Sequence, residues 1–167
     1  MKVIQSNENG TQEEYEGRAT SAGAADAGHF PVLNPAGKID QTMMPDGVGQ
    51  DIVQLTSAEA LSEGDYIYIN SAGAAARADA TSIAKKAIGF ATESVVSGAP
   101  VKVQFDDSNT ALSGLTPGAT YYLSASTPGG VTTTAPTAAG QIVQSVGVAL
   151  NATTIHSDIQ SQPVIRA

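Results

Sequence analysis

Apolar and polar positions alternate in short runs along most of this chain. Val101, Val103 and Phe105 fall on one side of a pleat, with Lys102 and Gln104 on the other. That period of two marks a half-buried strand. Ile88 with Phe90, Tyr121 with Leu123, and Val146 with Val148 and Leu150 repeat it, each set expected on one face. Further upstream, Ile52-Val53-Gln54-Leu55 and Tyr66-Ile67-Tyr68-Ile69 carry the β-branched and aromatic residues that suit a pleated surface. Turn chemistry separates the runs. Thr116-Pro117-Gly118-Ala119 and Thr127-Pro128-Gly129-Gly130 place Pro then Gly at the central positions of a type II turn. The second joins residues 121–124 to 131–134 as a hairpin, and residues 152–156 can pair back across Asn151. Residues 70–82 read as a loop, or a short exposed strand around 76–78. Helical patterning is confined to single turns at 57–61 and 82–86. Turns recurring every ~8–12 residues without a long helix predict an all-β fold, a compact β-sandwich or small β-barrel.

The first fifty residues read differently. Residues 1–28 are polar, with the small-residue run SAGAADAG, and predict an extended or partly disordered N-terminal arm that a partner could order. Tyr15 stands among Glu13, Glu14 and Glu16 as an anchor-like aromatic. Residues 29–40 predict a small hairpin about Asn34-Pro35-Ala36-Gly37, flanked by Val32-Leu33 and Lys38-Ile39. Met43 and Met44, beside the turn formers Pro45, Asp46 and Gly47, could pack adaptably on another subunit or fill a gap in this chain's own core. The predicted organisation is an arm over 1–50 and a β domain over 51–167. Tyr15, Phe30, Leu33, Ile39, Met43 and Met44 are the candidate contacts of the arm.

Composition sharpens this picture. Only 14% of the 167 residues are charged, well below the roughly 25% of ordinary soluble domains. Ala, Gly, Ser and Thr take their place and bury little apolar area each. A core this thin gains from neighbouring chains, so an oligomer is expected. The net charge of −8 sits within residues 1–65, with eleven acidic against three basic residues, while 66–167 balance at five each. Such a chain repels phosphate backbones, which argues against nucleic acid as a partner. The acidic region is either a solvated arm or one that docks on a basic surface. No stretch approaches the ~20 apolar residues of a membrane span, and the N-terminus carries no secretory pattern.

The search for reactive groups ends without a site. There is no cysteine. His29 and His156 lie far apart, and neither has ligands at metal spacing. His156-Ser157-Asp158 holds the letters of a catalytic triad, but neighbours on a strand point to opposite faces. Asp106-Asp107-Ser108-Asn109 offers too few oxygens for the roughly 6–8 that calcium takes and reads as a strand end with an Asx turn. No phosphate-binding glycine loop is present. Aromatics, at 5%, are too sparse for a sugar- or base-stacking platform. No catalytic, metal or cofactor residue is expected, and the chain does not read as an enzyme.

Several of these segments, taken in order, resemble a known family. The run GKIDQTMMPDGVGQD is similar to a segment near the start of small structural proteins of tailed bacteriophages. GDYIYI, AIGFATESVVSGAPVKVQF, GLTPGATYYLS and GGVTTTAPTAAGQIVQSVGVALNATTI follow in the order found in phage capsid decoration (cement) proteins and related head or tail-fibre components. The resemblance spans residues 30–156. It implies an all-β domain, a homotrimer, and attachment to the major capsid protein on the outer capsid surface of a particle assembled in the bacterial cytoplasm. It brings no catalytic residues. It leaves open a head-fibre, tail or baseplate role, and less readily a receptor- or glycan-binding module. Residues 1–28 lie outside it.

Overall fold

One strand shows how the larger part of the molecule is built. Tyr66 and Ile67, adjacent on the strand Tyr66–Ile69, are both fully buried, each in a different apolar cluster. This strand is therefore covered on both faces. The computed structural model describes residues 2–6, 9–44 and 51–167, with backbone alone at Gln5, Ser6, Tyr15 and Gln41. The chain forms two units, Met1–Gly49 and Gln50–Ala167. The fold is all-β. Among the described residues the helical elements are three 3-10 turns, Gly23–Asp26, Gln41–Met43 and Ile83–Lys85.

In the second unit, β3 (Ile52–Thr56), β4 (Tyr66–Ile69), β5 (Ala75–Arg77), β6 (Gly89–Ala91) and β7 (Pro100–Gln104) make one antiparallel sheet in the order β3-β7-β6-β4-β5. Its edges meet. Ser57, just past β3, forms a parallel bridge with Ala75 in β5, and Ala58 N–H donates to Ala75 O at 2.7 Å. The sheet thereby closes into a five-stranded barrel. Closure removes the open strand edges that invite aggregation. So narrow a barrel must be filled by small and medium side chains; its interior holds Leu61, Ile67, Ala75, Ala91, Val101 and Val103.

A second antiparallel sheet packs on the outside of β4 and β6. It comprises β8 (Ser108–Asn109), β9 (Thr120–Leu123), β10 (Val131–Thr132), β12 (Ser145–Ala149) and β13 (Ile155–Ser157) in the order β10-β9-β12-β13-β8, while β11 (Ile142–Val143) pairs separately with β14 (Val164–Ile165). Tyr121, Leu123, Val146 and Ile155 from this sheet meet Tyr66 and Phe90 from the barrel. The two barrel rings lie edge to face, 6.2 Å between centroids, a favoured aromatic geometry.

Several expectations need correction. Val146, Val148 and Leu150 do not share a face: Val146 is buried while Val148 and Leu150 are exposed. The register shifts between Ser145 and Gly147 opposite β9, and such a bulge inverts the alternation beyond it. Residues 75–76, read as loop or exposed strand, are buried in β5. Residues 57–61 form the barrel-closing bridge rather than a helical turn. Ile88 and Phe90 contribute to different clusters, because Ile88 precedes the short strand β6.

In the first unit, β1 (Lys2–Ser6) and β2 (Gln12–Glu16) form an antiparallel hairpin within the segment read as an extended arm. The hairpin expected over 29–40 is a turn without flanking strands. Gly37 N–H donates to Asn34 O at 2.8 Å, and the Asn34 Oδ1 accepts from Ala36 and Lys38 N–H at 3.0 and 3.1 Å. Pro31 and Pro35 lack the N–H a ladder requires. Instead, Arg18 bridges Pro31 in parallel, donating to Phe30 O at 3.0 Å and accepting from Val32 N–H at 2.9 Å.

Candidate interaction surface

No described side chain of the first unit is buried. A two-stranded hairpin is marginal by itself in water. Several of its apolar side chains are exposed. Leu33 and Ile39 are 60% and 54% exposed, and Val3, Ile4 and Met44 are exposed as well.

Of the candidate contacts, Phe30 and Met43 are brought together. Both are half-buried and line a cavity of about 200 Å³ with Pro31, Arg18, Asp26 and His29. The Phe30 ring lies so near Gly17 that an added Cβ there would come within 2.7 Å of Phe30 Cε2. Leu33, Ile39 and Met44 are not part of this cavity. Tyr15 pairs with Val3 through the backbone; its side chain lies outside the described residues. Pro45, Asp46 and Gly47, read as turn formers, also lie outside them. The sequence reading missed Val3 and Ile4. Their signal was the apolar pair in KVIQS ahead of Asn9-Gly10, a dipeptide that marks hairpin turns.

The electrostatics of this surface are compensated locally. Arg18 lies between Glu16, at 3.7 Å, and Asp26, at 3.4 Å. Asp26 also accepts from Ala22 N–H at 2.6 Å. The Thr42 hydroxyl and N–H donate to Asp40 at 2.7 and 3.0 Å and hold its carboxyl below the usual range. The excess acid is not confined to this unit. Residues 1–49 hold seven acidic and three basic side chains and residues 50–167 hold nine and five, so each unit carries −4.

In the second unit the triad-like and Asx segments lie in β13 and just before β8. Along β13, His156 is exposed while Ser157 is buried, its hydroxyl 3.4 Å from the Tyr66 hydroxyl. Burial raises the Tyr66 phenol above its ordinary pKa. Asp107 sits in a left-handed turn, φ 82°, and its Oδ1 accepts from Ser108 N–H at 2.7 Å. Among the described residues, no group of three or more His, Cys, Asp or Glu is placed to hold a metal ion. No helix among them is long and apolar enough to cross a membrane. Two ion pairs fasten β5 and the turn after it. Glu59 accepts from Arg77 Nη2 at 2.7 Å and Nε at 3.1 Å, and Asp79 accepts from Lys85 Nζ at 2.9 Å.

The first unit presents apolar side chains that its own described residues leave exposed. No family model matches the sequence, and no characterised protein shows significant similarity to it.

Proposed function

We propose that this chain is a virion structural protein that decorates the outer capsid surface of a tailed phage and stabilises the shell by bridging major capsid protein subunits. The observation that carries this reading is the first unit: Val3, Ile4, Leu33, Ile39 and Met44 are exposed, and no described side chain there is buried. Covering an aliphatic side chain of this size is worth about 1.5–3 kcal/mol. Several together can offset the roughly 4–15 kcal/mol lost on association. The second unit supplies a closed β scaffold. The order of motifs over residues 30–156 adds the resemblance to decoration proteins, and with it the homotrimer.

Shell adhesion needs broad contacts repeated many times, not a reactive centre. The test is quantitative protein analysis of purified heads, paired with cosedimentation of the full chain and of a form lacking residues 1–28 with undecorated heads. The full chain binds in high copy, and the truncated form binds at least about tenfold more weakly while keeping its β circular dichroism. Absence from heads, a few copies on the tail or baseplate, or undiminished binding of the truncated form overturns the proposal. Sedimentation of the isolated protein tests the trimer.

A further inference from the structure

We infer that Asn9-Gly10, in the connection of the N-terminal hairpin, is a self-modification site: Asn9 converts to aspartate and isoaspartate without an enzyme, and the change unpairs β1 from β2. The inference is independent of the virion reading. The Gly10 amide nitrogen, its proton lost to hydroxide, attacks Cγ of Asn9. A C–N bond forms, the side-chain nitrogen leaves as ammonia with a proton from water, and a five-membered succinimide remains. Water then opens the ring at either carbonyl. One opening gives aspartate. The other routes the main chain through Cβ and Cγ and gives isoaspartate. Water is the one co-reactant, and nothing is oxidised or reduced.

The structure supplies what this attack needs. Gly10 has no Cβ to crowd the attacking nitrogen. Asn9 and Gly10 are both exposed, so base and water reach them. Gly10 has a φ of +75°, and nothing lies within 4 Å of where a Cβ would stand, which leaves the nitrogen room to swing toward Cγ. No described side chain of this unit is buried, and a segment with few buried contacts opens locally at small free-energy cost.

The other described asparagines lack this combination. Asn34 precedes Pro35, whose nitrogen carries no hydrogen to lose. Asn109 is buried. Asn70 and Asn151 precede Ser71 and Ala152, each with a Cβ beside the attacking nitrogen.

The product bears on the pairing around it. The ladder runs from Lys2 opposite Glu16 to Ser6 opposite Gln12, and Asn9 and Gly10 lie between its last partners. Isoaspartate adds one main-chain carbon to that connection. It also adds a carboxylate to a unit of seven acidic and three basic side chains. A two-stranded hairpin is marginal in water, so a small loss opens it.

The test ages the full-length protein in mildly alkaline buffer and maps its peptides by mass spectrometry, with enzymatic methylation to detect isoaspartate. Asn9 is expected to convert at least about tenfold faster than Asn70 or Asn151, a barrier lower by about 1.4 kcal/mol or more, and faster in alkaline than in acidic buffer. Heteronuclear NMR of the aged protein loses the strand shifts of Val3, Ile4, Glu14 and Tyr15. Asn9→Gln, which must close a larger ring, keeps them through the same ageing. Conversion no faster at Asn9 than at Asn70 and Asn151, aspartate without isoaspartate, or strand shifts that survive conversion overturns the inference.

Discussion

The carboxamide of Gln144 clasps the backbone of Ala87 at both polar atoms. Ala87 N–H donates to Gln144 Oε1 at 2.8 Å, and Gln144 Nε2 donates to Ala87 O at 2.8 Å. Nε2 also donates to Gln160 O at 2.9 Å. The side chain is fully buried. One residue between β11 and β12 thus supplies the hydrogen bonds that the chain entering β6 would otherwise lack in the core between barrel and sheet.

Gln144→Leu therefore leaves a buried N–H and C=O at Ala87 without partners. Each such group costs about 1–3 kcal/mol, so the expected loss is about 2–6 kcal/mol. Urea denaturation measures it as a lower midpoint with an unchanged slope. A loss below about 0.5 kcal/mol contradicts the clasp.

Gly147 forms the bulge in β12. Its φ is +143°, and a Cβ there would run into His156 O and come within 2.8 Å of Ile155 Cγ2. The obstacle includes backbone of the neighbouring strand, which cannot turn aside. Gly147→Ala is expected to destabilise by at least about 3 kcal/mol, read as a large fall in thermal midpoint or as insoluble expression. Gly140→Ala is the control. Its φ is also positive, at +80°, but it has open space at Cβ, so its cost is backbone strain alone, about 1 kcal/mol.

Asp79 makes stability depend on acid. Burial pushes its carboxyl pKa up, but bonds from the Thr81 hydroxyl and N–H and from Lys85 outweigh that and hold it below 3.8. A carboxyl whose folded pKa is depressed contributes stability above its unfolded pKa and loses it as pH falls through the folded value. Asp79→Asn is expected to be less stable than the parent at pH 7, with the gap narrowing below about pH 4. Asp65 runs the other way. Burial raises its pKa above 3.8, so its contribution is greatest in acid and is lost as pH rises through the folded value. Thermal midpoints from pH 2 to 7 (a range set by ordinary carboxyl pKa values, about 4) separate Asp79→Asn from Asp65→Asn; parallel curves for Asp79→Asn and the parent refute the assignment.

Leu33 and Ile39 flank the Asn34–Lys38 turn and are exposed. The double variant Leu33→Ser with Ile39→Ser removes apolar surface without opening a cavity. Its thermal midpoint is expected to stay within about 2 °C of the parent, while head binding falls at least about tenfold. Cosedimentation reads the second quantity. Unchanged binding removes these two residues from the contact surface.

Much of the β architecture was legible beforehand because its signals are local. Tyr66–Ile69 and Pro100–Gln104 were visible in composition and alternation, and Thr127-Pro128-Gly129-Gly130 marked the β9–β10 hairpin, whose register sets Val131 opposite Leu123. The N-terminal hairpin was overlooked because charged residues in QEEYE hide its alternation. Of the candidate contacts, Phe30 and Met43 share a cavity while Leu33, Ile39 and Met44 stand apart from it, a grouping that sequence spacing does not encode.

Most strand positions of the second unit, its Pro-Gly turns and the lack of a long helix among the described residues follow from this chain's residues alone, since each reflects conformational preference within a few neighbours. Closure of the barrel by Ser57 and Ala75, the inversion of β12 at Gly147, and the clasp of Gln144 on Ala87 are different in kind. Each depends on backbone groups brought together from distant parts of the chain, where hydrogen-bond satisfaction and close packing choose among arrangements that local preference leaves equal.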